Sequence, residues 1–189
     1  MRVIRSWPQQ VPDGRAYVFD ELPRLLMTGH DYHVLNQIDD DVLLIEWDLA
    51  VGQEELQAFA GRAAADPDVP LVAPYRLYAS SSGKPNKPAW AHRRYVRGDM
   101  FTEFIEPGDE FCHLFGFGLV YLPRQLVVDY LAAKPDAHFN DVSFSAWHYH
   151  NGARPNVGID WNARPAHVHY DSAAIAAGIE TQHRRSEHV

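Results

Sequence analysis

The sequence has a single cysteine, no long apolar run and no excess of positive charge. Because Cys112 is alone, an intramolecular disulfide framework and a multi-cysteine zinc site are excluded, and we expect a buried free thiol. No apolar run approaches the roughly 20 residues that a membrane-spanning helix needs, and the first residues lack the charged and apolar regions of a secretory signal. We therefore expect a cytoplasmic protein without a membrane span.

The charge balance disfavours a general nucleic-acid surface. The formal net charge is -8, whereas binding to a phosphate backbone requires clustered cations. The arginine pairs at 93–94 and 184–185 are short, and solvated edges account for them. A length of 189 residues and a hydrophobic fraction of 46% suit one domain over residues 1–189. The tail at 172–189 starts with a small-residue helix pattern, becomes polar, and is expected to be flexible.

The most informative stretch is an apolar run followed by two acids. Val42 to Ile45 predicts a strand buried on both faces, as in a parallel sheet with helices above and below. Glu46 and Asp48 follow it, and residues two apart on an extended backbone point the same way. Ligand sites in open α/β sheets lie outside the carboxyl ends of strands, where two oxygen ligands can hold a hard divalent cation. The alternative is a strand that simply ends in polar residues.

The rest of the chain continues this α/β pattern. Helical spacing of apolar residues predicts a helix from Gly52 to Ala63, and Pro70 to Tyr75 predicts another buried strand. Gly116 to Pro123 predicts a strand that leads into a helix, with glycines that let the backbone approach a ligand or take left-handed angles. Asn140 is a good N-cap, so Asp141 is expected at a helix start.

Several flanking segments have weaker patterns. The segment from Arg2 to Trp7 predicts one strand, and Phe19 to Gly29 predicts one helix with a capping aspartate. Residues 79–88 have the composition of a loop. The segments 94–97 and 101–104 alternate like two edge strands joined by a turn.

This ordered set of motifs resembles the GT-A type glycosyltransferases, in particular compact bacterial and phage-encoded members, over roughly Asp41 to Tyr170. The resemblance implies an α/β fold, in which a single domain has a mostly parallel central sheet flanked by helices. The N-terminal part is shortened, because only residues 1–40 precede the acid-x-acid strand. The implied activity is metal-dependent transfer of a sugar from a nucleotide-diphosphate donor to an acceptor hydroxyl, whose identity the sequence leaves open.

The resemblance also implies a metal site. In that family an acid-x-acid motif binds the divalent cation carried by the donor diphosphate, and Glu46 and Asp48 match it, with Asp48 as the stronger candidate. A C-terminal histidine can complete the shell, and either His167 or His169 is available. The implied cofactor is manganese or magnesium, which suits mixed oxygen and nitrogen ligands.

The same resemblance assigns a base and a donor pocket. Asp141 occupies the place of the general base, and its alternative role is to favour the helix macrodipole. Trp47 and Tyr75 are candidates to line the sugar or base pocket, although aromatic core packing also explains both. Gly116 and Gly118 are candidates for close approach of the backbone to the donor.

Two other functions stay open. A metal hydrolase can be built from His167, His169, Asp171 and an acid from the strand end, with an open position for water. A degenerate transferase fold can act as a non-catalytic binding or virion-associated module, which the short N-terminal part favours. The second histidine pair, His148 and His150, lies in what we interpret as a loop, where hydrogen-bonded histidines are more common than ligands.

Overall fold

The described part of the chain is built from short strands and three helices. The helices are α1 (Gln53–Ala65), α2 (Arg124–Ala133) and α3 (Asp141–Asn151), and a 3-10 turn spans His33–Gln37. The strands are β1 (Arg2–Pro8), β2 (Arg24–Met27), β3 (Val42–Ile45), β4 (Leu49–Ala50), β5 (Leu71–Val72), β6 (Arg76–Leu77), β7 (Ala89–Trp90), β8 (Arg93–Val96), β9 (Phe101–Phe104), β10 (Phe111–Cys112), β11 (Leu119–Leu122), β12 (Val157–Ile159), β13 (Ala166–His169) and β14 (Gln182–Arg184). The computed structural model describes residues 1–9, 18, 20–77, 89–97, 99–163, 165–169 and 182–184.

A seven-stranded mixed sheet in the order β10-β12-β5-β11-β3-β1-β2 forms the centre of the molecule. Parallel pairing joins β1 to β2 and β3, and β12 to β5, whereas β11 is antiparallel to both its neighbours and β10 is antiparallel to β12. Five of the seven strands therefore share one direction. The prediction of a single α/β domain with a mostly parallel sheet is confirmed at this level.

The central strand is β3, as its composition predicts. It lies between β1 and β11, and all four of its residues are buried. Because side chains alternate across a strand, Val42 and Leu44 enter one hydrophobic core while Leu43 and Ile45 enter the other. A strand that serves two cores has no polar position, which explains the uninterrupted apolar run.

Helices cover both faces of the sheet. On one face, α1 contributes Phe59 and Ala63 to the core that contains Leu43 and Ile45. On the other face, α2 and α3 contribute the large residues Val127, Tyr130 and Phe144. The rings of Tyr130 and Phe144 lie 5.2 Å apart at centroid and meet edge to face. The helix pair is thereby joined through aromatic packing as well as buried area.

Two local predictions are wrong. The segment from Phe19 to Gly29 contains strand β2 rather than a helix, because Leu25 and Met27 are buried in alternation and the segment pairs with β1. The pairing satisfies backbone groups that a helix would otherwise have satisfied locally. His148 and His150 lie in the last turn of α3 and not in a loop.

Other local predictions are confirmed. Strand β1, helix α1 and the β8–β9 hairpin form where the patterns place them. Helix α2 begins one residue after Pro123, which occupies its N-cap. The predicted loop at 79–88 lies outside the described residues, as does the tail apart from residues 182–184. Among the described residues, no helix is both long enough and apolar enough to cross a bilayer.

Replacing Leu44 by alanine tests the central position of β3. The side chain is fully buried, so its truncation should lower the free energy of unfolding by about 2–5 kcal/mol. Leu26 provides a matched control, because it lies on edge strand β2 and is 58% exposed. Leu26→Ala should change stability by about 0.5 kcal/mol or less. Urea titration measures both, and equal losses would contradict the assigned topology.

Candidate functional site

The acid-x-acid segment leaves β3 as a tight turn. The Glu46 amide donates to the Gly118 carbonyl at 2.7 Å, and the Leu49 amide donates back to the Glu46 carbonyl at 3.1 Å. The chain therefore turns at Trp47 and Asp48 before β4 begins. The predicted extended backbone from Glu46 to Asp48 is therefore wrong. Their placement depends on the turn and on what fixes it.

A buried arginine fixes this turn. Arg5, on the neighbouring strand β1, is 1% exposed. Its guanidinium donates to the carbonyl oxygens of Glu46 at 2.6 Å and Leu49 at 2.9 Å. Asp20 balances the charge by accepting from the Arg5 Nε at 2.9 Å. Because the single Nη1 atom donates to both ends of the turn, and Nε and Nη2 both donate to Asp20, the two acids Glu46 and Asp48 are held in a defined geometry. No local sequence pattern marks Arg5 as part of the site.

The two glycines of the β11 segment make room for Tyr75. A Cβ atom built at Gly116 would lie within 3.0 Å of the Tyr75 hydroxyl oxygen, and one at Gly118 would meet both the Tyr75 ring and Leu49. Asp141 Oδ2 lies 3.5 Å from the same Gly116 position. The described backbone gives neither glycine a positive φ. Here these glycines permit close side-chain packing, which brings Tyr75 and Asp141 together.

His92 forms hydrogen bonds with the segment that follows β5 and the segment that precedes β11. Its Nε2 lies 3.0 Å from the Ala73 carbonyl, and its Nδ1 accepts from the Gly116 amide at 3.3 Å. These bonds define a neutral tautomer with the proton on Nε2. Complete burial lowers the pKa of His92 to about 4, against the opposing effect of the Ala73 bond. The ring also meets Tyr75 edge to face at 5.3 Å.

Asp141 begins helix α3, as the sequence predicts. Asn140 is the N-cap, and its side chain accepts from the Ser143 amide at 2.8 Å. Burial raises the pKa of Asp141, although the Val142 amide and the charge of His30 act in the opposite direction. Because Asn140 already caps the helix, the Asp141 carboxylate is not needed for capping.

Three carboxylates act electrostatically on two buried phenols. Burial raises the pKa of Tyr32 and of Tyr75 well above 10, and the negative charges of Glu46, Asp141 and Asp48 raise both further. The carboxylates therefore lie within electrostatic range of the same pair of hydroxyl groups. Sequence reasoning missed Tyr32, which follows β2 and carries no motif. Tyr32 is 2% exposed, and this burial results from packing between elements that are distant in the sequence.

The remaining site candidates are placed less completely. In β13, the backbone of His167 pairs with Leu49, directly after Asp48, whereas His169 pairs with Gln182. Their side chains lie outside the described part of the structure. Trp47 and Tyr75 are each 4% exposed, which favours packing over stacking against a ligand. Among the side chains that the structure describes, no group of three or more histidines, cysteines or acids could hold a metal ion.

Comparisons with known proteins show a shared fold and assign no activity to this chain. No protein-family model matches the chain, and no curated protein sequence matches it. Among solved structures, the chain is similar to the crystal structure of A197 from STIV, with a TM-score of 0.55 and 14% sequence identity. The match covers 88% of this chain and 85% of that chain. At this identity the likeness shows a shared fold alone.

His92 should make the protein less stable in mild acid. The unfolded chain binds a proton near pH 6.5 whereas the folded state resists protonation until about pH 4. The contribution of neutral His92 is therefore complete above pH 6.5 and declines as pH falls towards 4. Between pH 7 and pH 5 the wild type should lose about 2 kcal/mol through this residue.

His92→Gln should remove that part of the pH dependence, because an amide can replace both hydrogen bonds but does not titrate. The measurement is urea unfolding of both proteins at pH 7 and pH 5. His148, whose pKa burial also lowers to about 4, should leave a residual dependence in the variant. Identical pH profiles for the two proteins would contradict the assignment.

Proposed function

We propose that this protein is a metal-dependent glycosyltransferase that moves a sugar from a nucleotide-diphosphate donor to an acceptor hydroxyl. The observation that carries the proposal is that Asp141 Oδ2 and the Tyr75 hydroxyl group meet at Gly116. Burial, and in addition the negative charges of Glu46, Asp141 and Asp48, raise the pKa of Tyr32 and of Tyr75, which brings the other two acids into the same electrostatic convergence. This convergence lies at the carboxyl end of the central strand, where open α/β sheets bind their ligands. The order of the motifs resembles that of the GT-A type enzymes, and the proposed class of reaction is taken from this resemblance.

Glu46 and Asp48 are the residues that would hold the cation. Both supply hard oxygen ligands, which suit manganese and magnesium, and the register of β13 on β4 brings the His167 backbone beside them. The Arg5 guanidinium fixes the turn that carries both acids. When bound, a divalent cation would offset the negative charge that develops on the departing diphosphate.

Asp141 is the proposed general base. A carboxylate whose pKa is raised is a stronger base than an exposed one, and burial raises the pKa of Asp141. Its Oδ2 lies 3.5 Å from the Cβ position built at Gly116, beside the Tyr75 hydroxyl group that occupies this space. In this position Asp141 would accept the proton of the acceptor hydroxyl as the new glycosidic bond forms.

The two phenols would remain protonated during the reaction. Burial raises the pKa of Tyr32 and that of Tyr75 well above 10, so both hydroxyl groups keep their protons at neutral pH. A buried donor beside carboxylates favours the ionised form of those carboxylates. Tyr32 and Tyr75 are therefore proposed to keep the acidic groups ready for cation binding and proton transfer.

A non-catalytic binding module is the second candidate. The specific observation in its favour is that, of the first forty residues, those that the structure describes form only β1, β2 and a 3-10 turn. The carboxyl ends of β1, β2 and β3 nevertheless meet at one edge of the sheet, because the three strands are parallel. Metal and nucleotide binding separates the two candidates, since a module that has lost donor chemistry should bind neither.

Manganese should stabilise the wild-type protein. Neighbouring carboxylates repel each other, so a cation that binds only the folded state raises stability by about 2.7 kcal/mol at a hundredfold excess over its dissociation constant. Thermal melts with manganese, and then with nucleotide diphosphate as well, measure the effect. The nucleotide should add stability only in the presence of metal.

Asp48→Ala should remove both effects, whereas His150→Ala should retain them because His150 is exposed in the last turn of α3. A wild-type melt that millimolar manganese and nucleotide leave unmoved would favour the non-catalytic module.

Asp141→Asn should abolish sugar transfer with little change in stability. The amide can still accept from the Val142 amide, and Asn140 continues to cap the helix. Transfer from a panel of nucleotide sugars, measured as nucleoside diphosphate release, reports the activity, and thermal melting reports the fold. A large loss of stability with normal transfer would instead assign Asp141 to helix stabilisation.

A further inference from the structure

The β8–β9 hairpin forms a separate two-stranded sheet beside the central one. No residue of either strand is fully buried, and the large side chains Phe101 and Phe104 are 56% and 45% exposed. A two-stranded hairpin without a buried face is only marginally stable in water. The position of this hairpin therefore depends on a small number of contacts with the rest of the molecule.

Backbone hydrogen bonds fix the base of the hairpin. The Arg93 amide donates to the Leu114 carbonyl at 2.8 Å, and the Leu114 amide donates to the Arg93 carbonyl at 3.0 Å. At the end of the other strand, the Ile105 amide donates to the His92 carbonyl at 3.2 Å. These bonds join backbone groups, which do not titrate, so they hold the base of the hairpin at any pH at which the protein is folded.

A histidine side chain holds the outer part of the hairpin, which contains Tyr95 and Asp99. Nδ1 of His113, on β10, accepts from the Tyr95 amide at 2.9 Å, and Nε2 lies 3.1 Å from Oδ1 of Asn156. Because a backbone amide can only donate, Nδ1 carries no proton and the neutral ring has its proton on Nε2. The His113 side chain is 8% exposed. The hydrogen bond therefore requires the uncharged form of a nearly buried ring.

Aromatic contacts join the same part of the hairpin to α3. The Tyr149 ring lies 4.4 Å from the Tyr95 ring and 4.5 Å from the His113 ring, measured between centroids. The Tyr149 hydroxyl donates to the Asp99 carboxylate. The Tyr95 amide, the His113 ring and the Tyr149 ring thus form one contact, in which His113 occupies the position between the two elements.

Several groups around His113 influence its protonation. The charged or titratable groups of this cluster are Arg94 with its ion-pair partner Asp109, Tyr95, Asp99, Tyr149 and His150. Burial lowers the pKa of His113, the hydrogen bond to Asn156 and the charge of Asp99 raise it, and the charge of Arg94 lowers it. The net effect is a lowered pKa. The docked hairpin therefore disfavours the protonated ring.

We propose that His113 is a pH-sensitive contact that holds the outer part of the β8–β9 hairpin against α3 and releases it on protonation. A proton from solvent adds to Nδ1, and the new N–H then faces the N–H of Tyr95, so the hydrogen bond between them is lost. The backbone bonds at Arg93 and Ile105 keep the base of the hairpin in place. The inference does not depend on the proposed transferase activity.

The direction of the pH dependence follows from the lowered pKa. In the released hairpin His113 binds a proton near its ordinary value of 6.5, whereas the docked state binds one only at lower pH. Docking is therefore complete above pH 6.5 and weakens as pH falls. The docking equilibrium should change by up to about tenfold for each pH unit below 6.5, until the docked state itself binds the proton.

Amide hydrogen exchange of the whole chain, followed by NMR between pH 7.5 and pH 5, tests the proposal. Exchange rates are divided by the intrinsic rate at each pH to give protection factors. Protection of the Tyr95 amide should fall by up to about tenfold per pH unit below 6.5. The Leu44 amide of the central strand should remain more protected than Tyr95 at every pH, which distinguishes local release from global unfolding.

His113→Gln should remove the steep pH dependence at Tyr95, because an amide can replace both hydrogen bonds of the ring but does not titrate. His150→Gln is the matched control. His150 contacts the rings of Tyr95 and Tyr149, at 5.8 Å and 5.0 Å between centroids, and the variant leaves the bond between His113 and Tyr95 intact. It should therefore retain the wild-type profile. Equal pH profiles in the wild type and His113→Gln would overturn the proposal.

A second measurement needs no variant. Long-range proton–nitrogen NMR of the wild type at pH 7.5 should show His113 with its proton on Nε2 and none on Nδ1. A ring protonated on Nδ1 at neutral pH would contradict the bond on which the proposal rests. Protection of the Tyr95 amide that stays constant down to pH 5 would contradict it equally.

Discussion

The Arg5 guanidinium is the interaction on which the candidate site depends. It joins β1 to the turn after β3 by binding the carbonyl oxygens of Glu46 and Leu49, and Asp20 neutralises it. A buried arginine is tolerable only when its charge and its donors are satisfied, and breaking such an arrangement typically costs about 3–5 kcal/mol. Because the bound carbonyls lie on either side of Asp48, the same contact that stabilises the sheet also positions the acidic residues.

Packing around Tyr75 brings the distant parts of the site together. The phenol lies against Gly116 and Gly118, where any larger residue would collide with it. His92 holds the Gly116 amide and the Ala73 carbonyl, and therefore fixes the strands on both sides of the ring. The carboxylate of Asp141 reaches the same place from α3. A site of this kind is rigid before any ligand binds, which favours catalysis by positioning.

Local sequence patterns determined the elements whose burial follows from composition. The run from Val42 to Ile45 predicts a central strand because a short apolar run that begins and ends with β-branched residues is typical of a strand with a core on each face. Asn140 likewise predicts the start of α3, since the cap is made within four residues. The acids of the acid-x-acid segment could likewise be selected from the local sequence, whereas the turn that carries them could not.

Tertiary structure decided what depends on residues far apart in the chain. The segment from Phe19 to Gly29 forms a strand because β1 is available to pair with it, and no local pattern records that partner. From the sequence alone, Arg5 is a polar residue that interrupts an apolar strand. Its hydrogen-bond acceptors are defined only when the turn after β3 lies beside β1. Tyr32 and Asp141 share an environment only because the folded chain packs the 3-10 turn, the sheet and α3 together, which is a property of long-range contacts and not of spacing.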